Sequence, residues 1–237
     1  MLPLKDLNPT RRIPAITYGL IVVNVLVFLW EQTLSVTELQ DQFLNLSVVP
    51  ANVLADPFAL DTFLDFVRSM FFHGGWAHLL GNMLYLWLFG DNLEDRMGFV
   101  LYPVFYFLGG FAASLAQIAI DPNSTIPLIG ASGAIAGVLG GYLIMFPGVR
   151  VRGIIPLGWF ARGAEWPAWA VLGLWFVLQL LNAALSLGVE TGVAFFAHIG
   201  GFVAGLVLTW IFMRLVPQPP REQRREVLYD RARRYRY

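Results

Sequence analysis

Ser132 is the one hydroxyl in LIGASGAIAGVLGG, residues 128–141, a stretch with no charge. His198 stands in AHIGGFVAG, and His78 and Asn82 open and close HLLGN. These residue types suit acyl transfer if the fold brings them together. A serine hydroxyl is a weak nucleophile at its free pKa and needs a base within ~2.6–3.2 Å, usually a histidine. The chain holds only three histidines, His73, His78 and His198, and His198 is the best-placed base. A tetrahedral intermediate also needs preorganised donors. The backbone N–H of Ser132 and the side chains of His78 and Asn82 are the candidates. No Asp or Glu stands at matching depth beside Ser132 or His198, so the set reads as a dyad without an acidic third member.

Each residue also has a plainer reading. A serine in a membrane helix commonly bonds a backbone carbonyl, and a histidine near an interface can be an anchor. The three histidines could instead ligate a metal, but the H-E-x-x-H pattern is absent and no carboxylate accompanies the pair His73 and His78. An aspartyl protease would need two buried aspartates in different spans. Asp91 and Asp95 share one segment and have no acidic partner in another.

The elements that must position these residues are apolar. Of 237 residues, 57% are hydrophobic and 14% charged, which points to an integral membrane protein of the all-α, polytopic class. The absence of cysteine excludes disulfides and thiolate chemistry. Six runs approach the ~20 residues that cross a ~30 Å hydrocarbon core. They fall at 13–30, 76–90, 99–119, 128–146, 167–187 and 193–215. The first follows Lys5, Arg11 and Arg12 but ends in FLWEQ, without a small-residue cleavage site, and reads as a retained span.

Lys and Arg set the orientation. With residues 1–12 inside, the inner segments hold Lys5, Arg11, Arg12, Arg96, Arg150, Arg152, Arg162 and the basic tail 216–237, and the outer segments hold only Arg68. Both ends of the chain are then cytoplasmic, and 31–75 is a long outer loop. The second, fourth and sixth runs descend from the outer face. His78, Ser132 and His198 lie near their starts, at similar shallow depth. Asn82 is one turn deeper than His78 on the same side. Gly133, Gly137 and Gly141 in the fourth run, and Ala197, Gly201 and Gly205 in the sixth, form small-residue stripes that let two backbones approach closely.

The ordered set HLLGN, GASGAIAG and AHIGGFVAG over six runs resembles the rhomboid intramembrane serine proteases, and the resemblance covers residues 13–215. Glu94, Asp95 and Arg96 are similar to that family's Glu-x-Arg element. The resemblance implies a six-helix rhomboid-like bundle, with Ser132 as nucleophile and His198 as general base. His78 and Asn82 would join the Ser132 backbone in an oxyanion hole. Gly130 would shape the turn before the serine, and Gly133, Glu94 and Arg96 would support the frame. His73 would hold loop or water structure. Substrates would be transmembrane proteins cut near the outer ends of their helices in the lipid bilayer, with no cofactor and no nucleic acid. Helix five and the loops beside helix six would form a lateral gate.

Two departures stand out. Family members that carry an aromatic residue four positions after the serine lay it against the base histidine; Ala136 occupies that position here. Arg68 also lacks the tryptophan that precedes it in some members.

Two other functions compete. One is an inactive rhomboid-like protein that binds membrane clients, which commonly lacks the serine or the histidine; both are present. The other is a small transporter, for which Asn24, Gln117, Gln179 and Asn182 are scattered polar residues without a mid-membrane charge. Compact loops and a basic inner face suggest a prokaryotic plasma membrane.

Overall fold

A computed structural model describes residues 2–157, 160–188 and 192–215. The expected basic tail 216–237 lies outside the described residues. Helices dominate. The first, α1 (Ala15–Glu31), follows Pro14 and has no side-chain cap of its own. Its free N–H groups are met from another helix, as described below.

The segment expected as an outer loop carries three short helices, α2 (Val36–Leu46), α3 (Pro50–Ala55) and α4 (Leu60–Arg68). A capping box starts α2, with the Ser35 hydroxyl and the Glu38 carboxylate each serving the other's backbone N–H. Pro50 starts α3 at a position where its missing donor costs nothing. Phe66 of α4 stacks on Phe111 at 5.0 Å between ring centroids and fixes this segment to the bundle.

The second and third apolar runs form one element, α5 (Trp76–Ile120), broken at Gly98. Gly98 has φ +81°, a left-handed conformation that favours glycine, and it splits α5 into two arms. Each arm has about 22 residues, or roughly 33 Å of helix. The acidic stretch before Gly98, which lies between the apolar runs 76–90 and 99–119, continues the first arm, because its charges find partners. Glu94 accepts from the backbone N–H groups of Ile16 and Thr17 at 2.9 and 2.8 Å and from the Thr17 hydroxyl at 2.8 Å. It thereby caps α1 across the helix interface. Arg11 pairs with Asp95 at 3.0 Å.

The remaining helices are α6 (Ser132–Met145), α7 (Ala168–Leu185) and α8 (Phe195–Leu215). Among the described residues three helices, α5, α7 and α8, are long and apolar enough to cross a membrane; α1 and α6 are apolar and shorter. Large apolar side chains such as Leu26, Leu80, Leu108 and Leu178 face outward, as a lipid-exposed surface requires. Inside, Phe89, Tyr102, Tyr106, Leu139, Tyr142 and Phe202 are fully buried.

Small residues set the spacing of α6 and α8. A Cβ added at Gly201 would overlap the Gly133 carbonyl, one at Gly205 the Gly137 carbonyl, and one at Gly140 the Phe202 carbonyl. Gly133 faces Ala113 on the second arm of α5. The stripes expected from sequence are thus the contact surface itself.

A small sheet departs from the all-α expectation. Strands β1 (Leu2–Asp6), β2 (Arg150–Leu157) and β3 (Phe160–Pro167) pair antiparallel in the order β1-β2-β3. Leu2 lies opposite Ile154 and Asp6 opposite Val151. At the end of β1, one Asp6 oxygen accepts from Tyr142 of α6 and from Asn92 of α5, each at 2.8 Å. The arginines of RVRG disguise β2 as a basic loop, although Val151 between them is fully buried.

The turn between α6 and β2 anchors one end of α7. The N–H of Ala168 donates to Val149 at 2.8 Å and that of Trp169 to Pro147 at 3.0 Å, and Ala168 and Leu172 are fully buried. At the opposite end Leu185 is 78% exposed.

Candidate active site

Ser132 is the first residue of α6, with Ala131 as N-cap. The sequence suggested a position a few residues into a helix; residues 128–131 are instead a turn-containing approach to it. Gly130 has φ +115°, and a Cβ there would meet the His78 ring at 2.6 Å, so only glycine fits this turn beside this histidine. The segment between α1 and α5 clamps the approach: the Gly130 N–H donates to Ser69 at 2.8 Å and the Leu128 N–H to Val48 at 2.7 Å. As the opening residue of a helix, Ser132 has a backbone N–H without a partner four residues back.

His198 lies one turn into α8, and its Nε2 is 2.8 Å from the Ser132 Oγ. The Gly133 and Gly201 contact holds these two helices together just below the pair. The other ring nitrogen, Nδ1, is 2.8 Å from Oε1 of Gln179 on α7. A carbonyl oxygen only accepts, so Nδ1 carries the ring proton and Nε2 presents its lone pair to the serine hydroxyl. Sequence reasoning missed Gln179, which it grouped with polar residues scattered through the spans. Trp175, one turn earlier on α7, sets its ring 6.1 Å from that of His198, and Phe195 presents an edge at 6.3 Å.

His73 and Asn82 form a second unit. The Nδ1 of His73 donates to the Phe71 carbonyl at 3.2 Å, which leaves Nε2 to accept from the Asn82 amide at 2.9 Å. The His73 backbone N–H donates to Glu31 at 3.0 Å. Burial, with His78 beside it, pushes the His73 pKa down to about 4, so the ring stays a neutral acceptor. Asn82 retains a second amide hydrogen. It and His78 flank Gly130, on the approach to Ser132.

Ser132, His198, His78 and Asn82 all line one cavity of about 960 Å³. Glu94 lies elsewhere, at the far end of the first arm of α5, where it holds α1. Arg96 is close to it in sequence and likewise distant from the dyad. Gly133 packs against Ala113 and α8. Among the described residues no three of His, Cys, Asp and Glu converge on a metal site. The arrangement is suited to nucleophilic attack by a serine with histidine as base.

The sequence matches the family model of the rhomboid domain over residues 61–215. It is 35% identical to RHOMBOID-like protein 4 of Arabidopsis thaliana over 141 residues, which cover 60% of this chain and 32% of that protein. RHOMBOID-like protein 5 of the same plant is 32% identical over 152 residues, covering 64% of this chain and 44% of the relative. Rhomboid protein 1, mitochondrial, of Saccharomyces cerevisiae is 28% identical over 158 residues, covering 65% and 43%. The chain spans less than half the length of these three relatives. They come from a plant and a yeast, and the expectation of a prokaryotic plasma membrane draws no support from them.

Proposed function

This chain belongs to the rhomboid family, and from that premise we propose that it is a serine-type intramembrane endopeptidase acting on transmembrane proteins. One observation carries the proposal: the 2.8 Å contact between His198 Nε2 and Ser132 Oγ, made across two helices at the rim of a cavity. Residues 13–215 form the protease domain, with α1, the two arms of α5, α6, α7 and α8 as six spans. The basic sheet and both chain ends face the cytoplasm.

In the proposed reaction Ser132 Oγ attacks the scissile carbonyl carbon as its proton passes to His198 Nε2. The resulting oxyanion takes hydrogen bonds from the Ser132 N–H, His78 and the free amide hydrogen of Asn82. His198 then gives its proton to the leaving amine, and the C–N bond breaks. Water attacks the acyl-serine while His198 accepts its proton; collapse of the second intermediate breaks the bond to Ser132 Oγ, which takes that proton back from His198 as the new carboxyl end leaves. Such donors act strongly where bulk water is excluded.

The test is cleavage of a single-span substrate with a helix-weakened outer segment in liposomes. Wild type should release a fragment that Ser132→Ala and His198→Ala do not. Equal fragment from all three would end the dyad assignment. If none cuts, labelling by a serine-directed phosphonate separates a wrong substrate from an inactive client binder: wild type labels at Ser132 in the first case and not in the second.

A further inference from the structure

We propose that Gln179 is a positioning residue of the dyad, a neutral third member on α7 that fixes which nitrogen of His198 faces Ser132. The inference rests on the hydrolytic reading above and supplies what the pair alone lacks. Neutral imidazole carries its single proton on either nitrogen, and only one of the two forms can act as base toward Ser132. With the proton on Nε2, an N–H would point at the hydroxyl and no lone pair would remain to receive its proton. The Gln179 oxygen, 2.8 Å from Nδ1, selects the productive form by accepting from Nδ1–H.

Position and chemistry agree. Gln179 is buried, 8% exposed, on the face of α7 that also carries Trp175 one turn before it. The amide and the indole therefore meet the same imidazole, one by hydrogen bond and one by ring contact at 6.1 Å. Ala136 of α6, at the position where some relatives carry an aromatic residue against the base histidine, is fully buried and has only a methyl group. His198 is thus oriented from α7. An amide suits this depth better than a carboxylate, because it holds the ring without placing a charge in an apolar setting. A carboxylate there would also stabilise the imidazolium at rest and lower the fraction of free base at neutral pH.

The experiment compares wild type with Gln179→Met, which keeps the volume and removes the acceptor, and Gln179→Glu, which keeps the acceptor and adds charge. Protein labelled with ¹⁵N-histidine contains only three imidazoles, so the resonances of His198 can be assigned and its tautomer read directly. Wild type and Gln179→Glu should show the proton on Nδ1, and Gln179→Met a mixture or the Nε2–H form. In cleavage assays Gln179→Met should lose about ten- to a hundredfold in kcat with KM within twofold. Gln179→Glu should keep most activity at high pH, with the acid limb of its kcat/KM profile moved to higher pH. An Nε2–H tautomer in wild type overturns the proposal. So does a Gln179→Met enzyme with wild-type kcat, or a Gln179→Glu enzyme as impaired as Gln179→Met with an unmoved acid limb. Should Gln179→Met not fold, Gln179→Glu and the wild-type spectrum decide. If wild type neither cuts nor labels with the serine-directed phosphonate, the hydrolytic reading fails while the spectrum still settles the tautomer.

Discussion

Gly201 lies against the carbonyl of Gly133 so closely that a methyl group at its Cα would overlap the carbonyl oxygen. Gly133 follows Ser132 directly, and Gly201 is three residues beyond His198. The contact therefore sets the reach of the dyad. Gly201→Ala should push α8 outward, cost about 1–3 kcal/mol from overpacking and reduce cleavage at least tenfold. Gly173→Ala on α7, where a Cβ meets nothing within 4 Å, should leave both properties unchanged. Thermal midpoints and initial cleavage rates of the two variants check this.

His73 and Asn82 should separate in kinetics. Loss of one oxyanion donor costs about 100–1000-fold in kcat, which is the expectation for Asn82→Ala. His73→Ala leaves the amide present but untethered, and about a tenfold loss is expected, close to the value of one hydrogen bond. An effect of His73→Ala as large as that of Asn82→Ala would assign chemistry to His73 itself.

Substrate helicity should control cutting. A spanning helix hides its carbonyls in i to i−4 hydrogen bonds, so attack requires local unwinding. Replacing Gly or Pro near the cut by Leu should slow hydrolysis, because those residues weaken a helix by about 1 and 3 kcal/mol respectively. Matched substrate pairs in the same liposomes measure the effect, and equal rates would count against the mechanism.

Glu94 should matter for stability alone. It is 16 residues beyond His78 in the same arm, about 24 Å away along the helix axis. Glu94→Ala strands three donors of α1 and should destabilise by about 3 kcal/mol. Glu94→Gln, which retains one acceptor oxygen, should cost less. Activity per folded molecule should be the same in both, as judged by active-site titration beside thermal unfolding.

Asp6 gives the sheet end of the bundle a pH dependence. Burial, and then the nearby Asp91, raise its pKa to about 7, against lowering by hydrogen bonds from Tyr142 and Asn92. The folded state thus holds a proton that the unfolded chain has released above about pH 4. This contribution to stability is full at low pH and declines as pH rises towards 7. Asp6→Asn should remove that slope and gain stability relative to wild type at pH 8. Melting curves from pH 4 to 8 test it; parallel profiles for the two proteins would refute it.

The Ser132 and His198 contact was legible because rare polar types stood in small-residue stripes whose spacing specifies close helix contact. Gln179 was not, because one glutamine in an apolar run carries no periodic signal. Its companions in that scattered set serve the frame: Asn24 bonds the Leu20 carbonyl of its own helix, and Gln117 accepts from the Ala197 N–H. Ala136 was the available clue, since a missing aromatic implied that another element holds His198. The sheet was hidden for a different reason. Asp6 and Tyr142 are 136 residues apart, and no local pattern announces a pairing of that range. The helical course of the acidic stretch before Gly98 also depended on a distant partner, the open start of α1.

The anchoring of α7 at one end makes it a lever. Its fulcrum is Ala168, tied to Val149, and its far tip is Leu185, whose side chain is exposed. Gln179 stands about 16 Å from the fulcrum and the tip about 26 Å. A rigid tilt that swings the tip by about 3 Å carries Gln179 by about 2 Å, enough to part a hydrogen bond of ordinary length. In the proposed protease, parting α7 from α8 at this end would release His198 from Gln179 in the same movement, and the pair would be set for chemistry only when the lever has swung back.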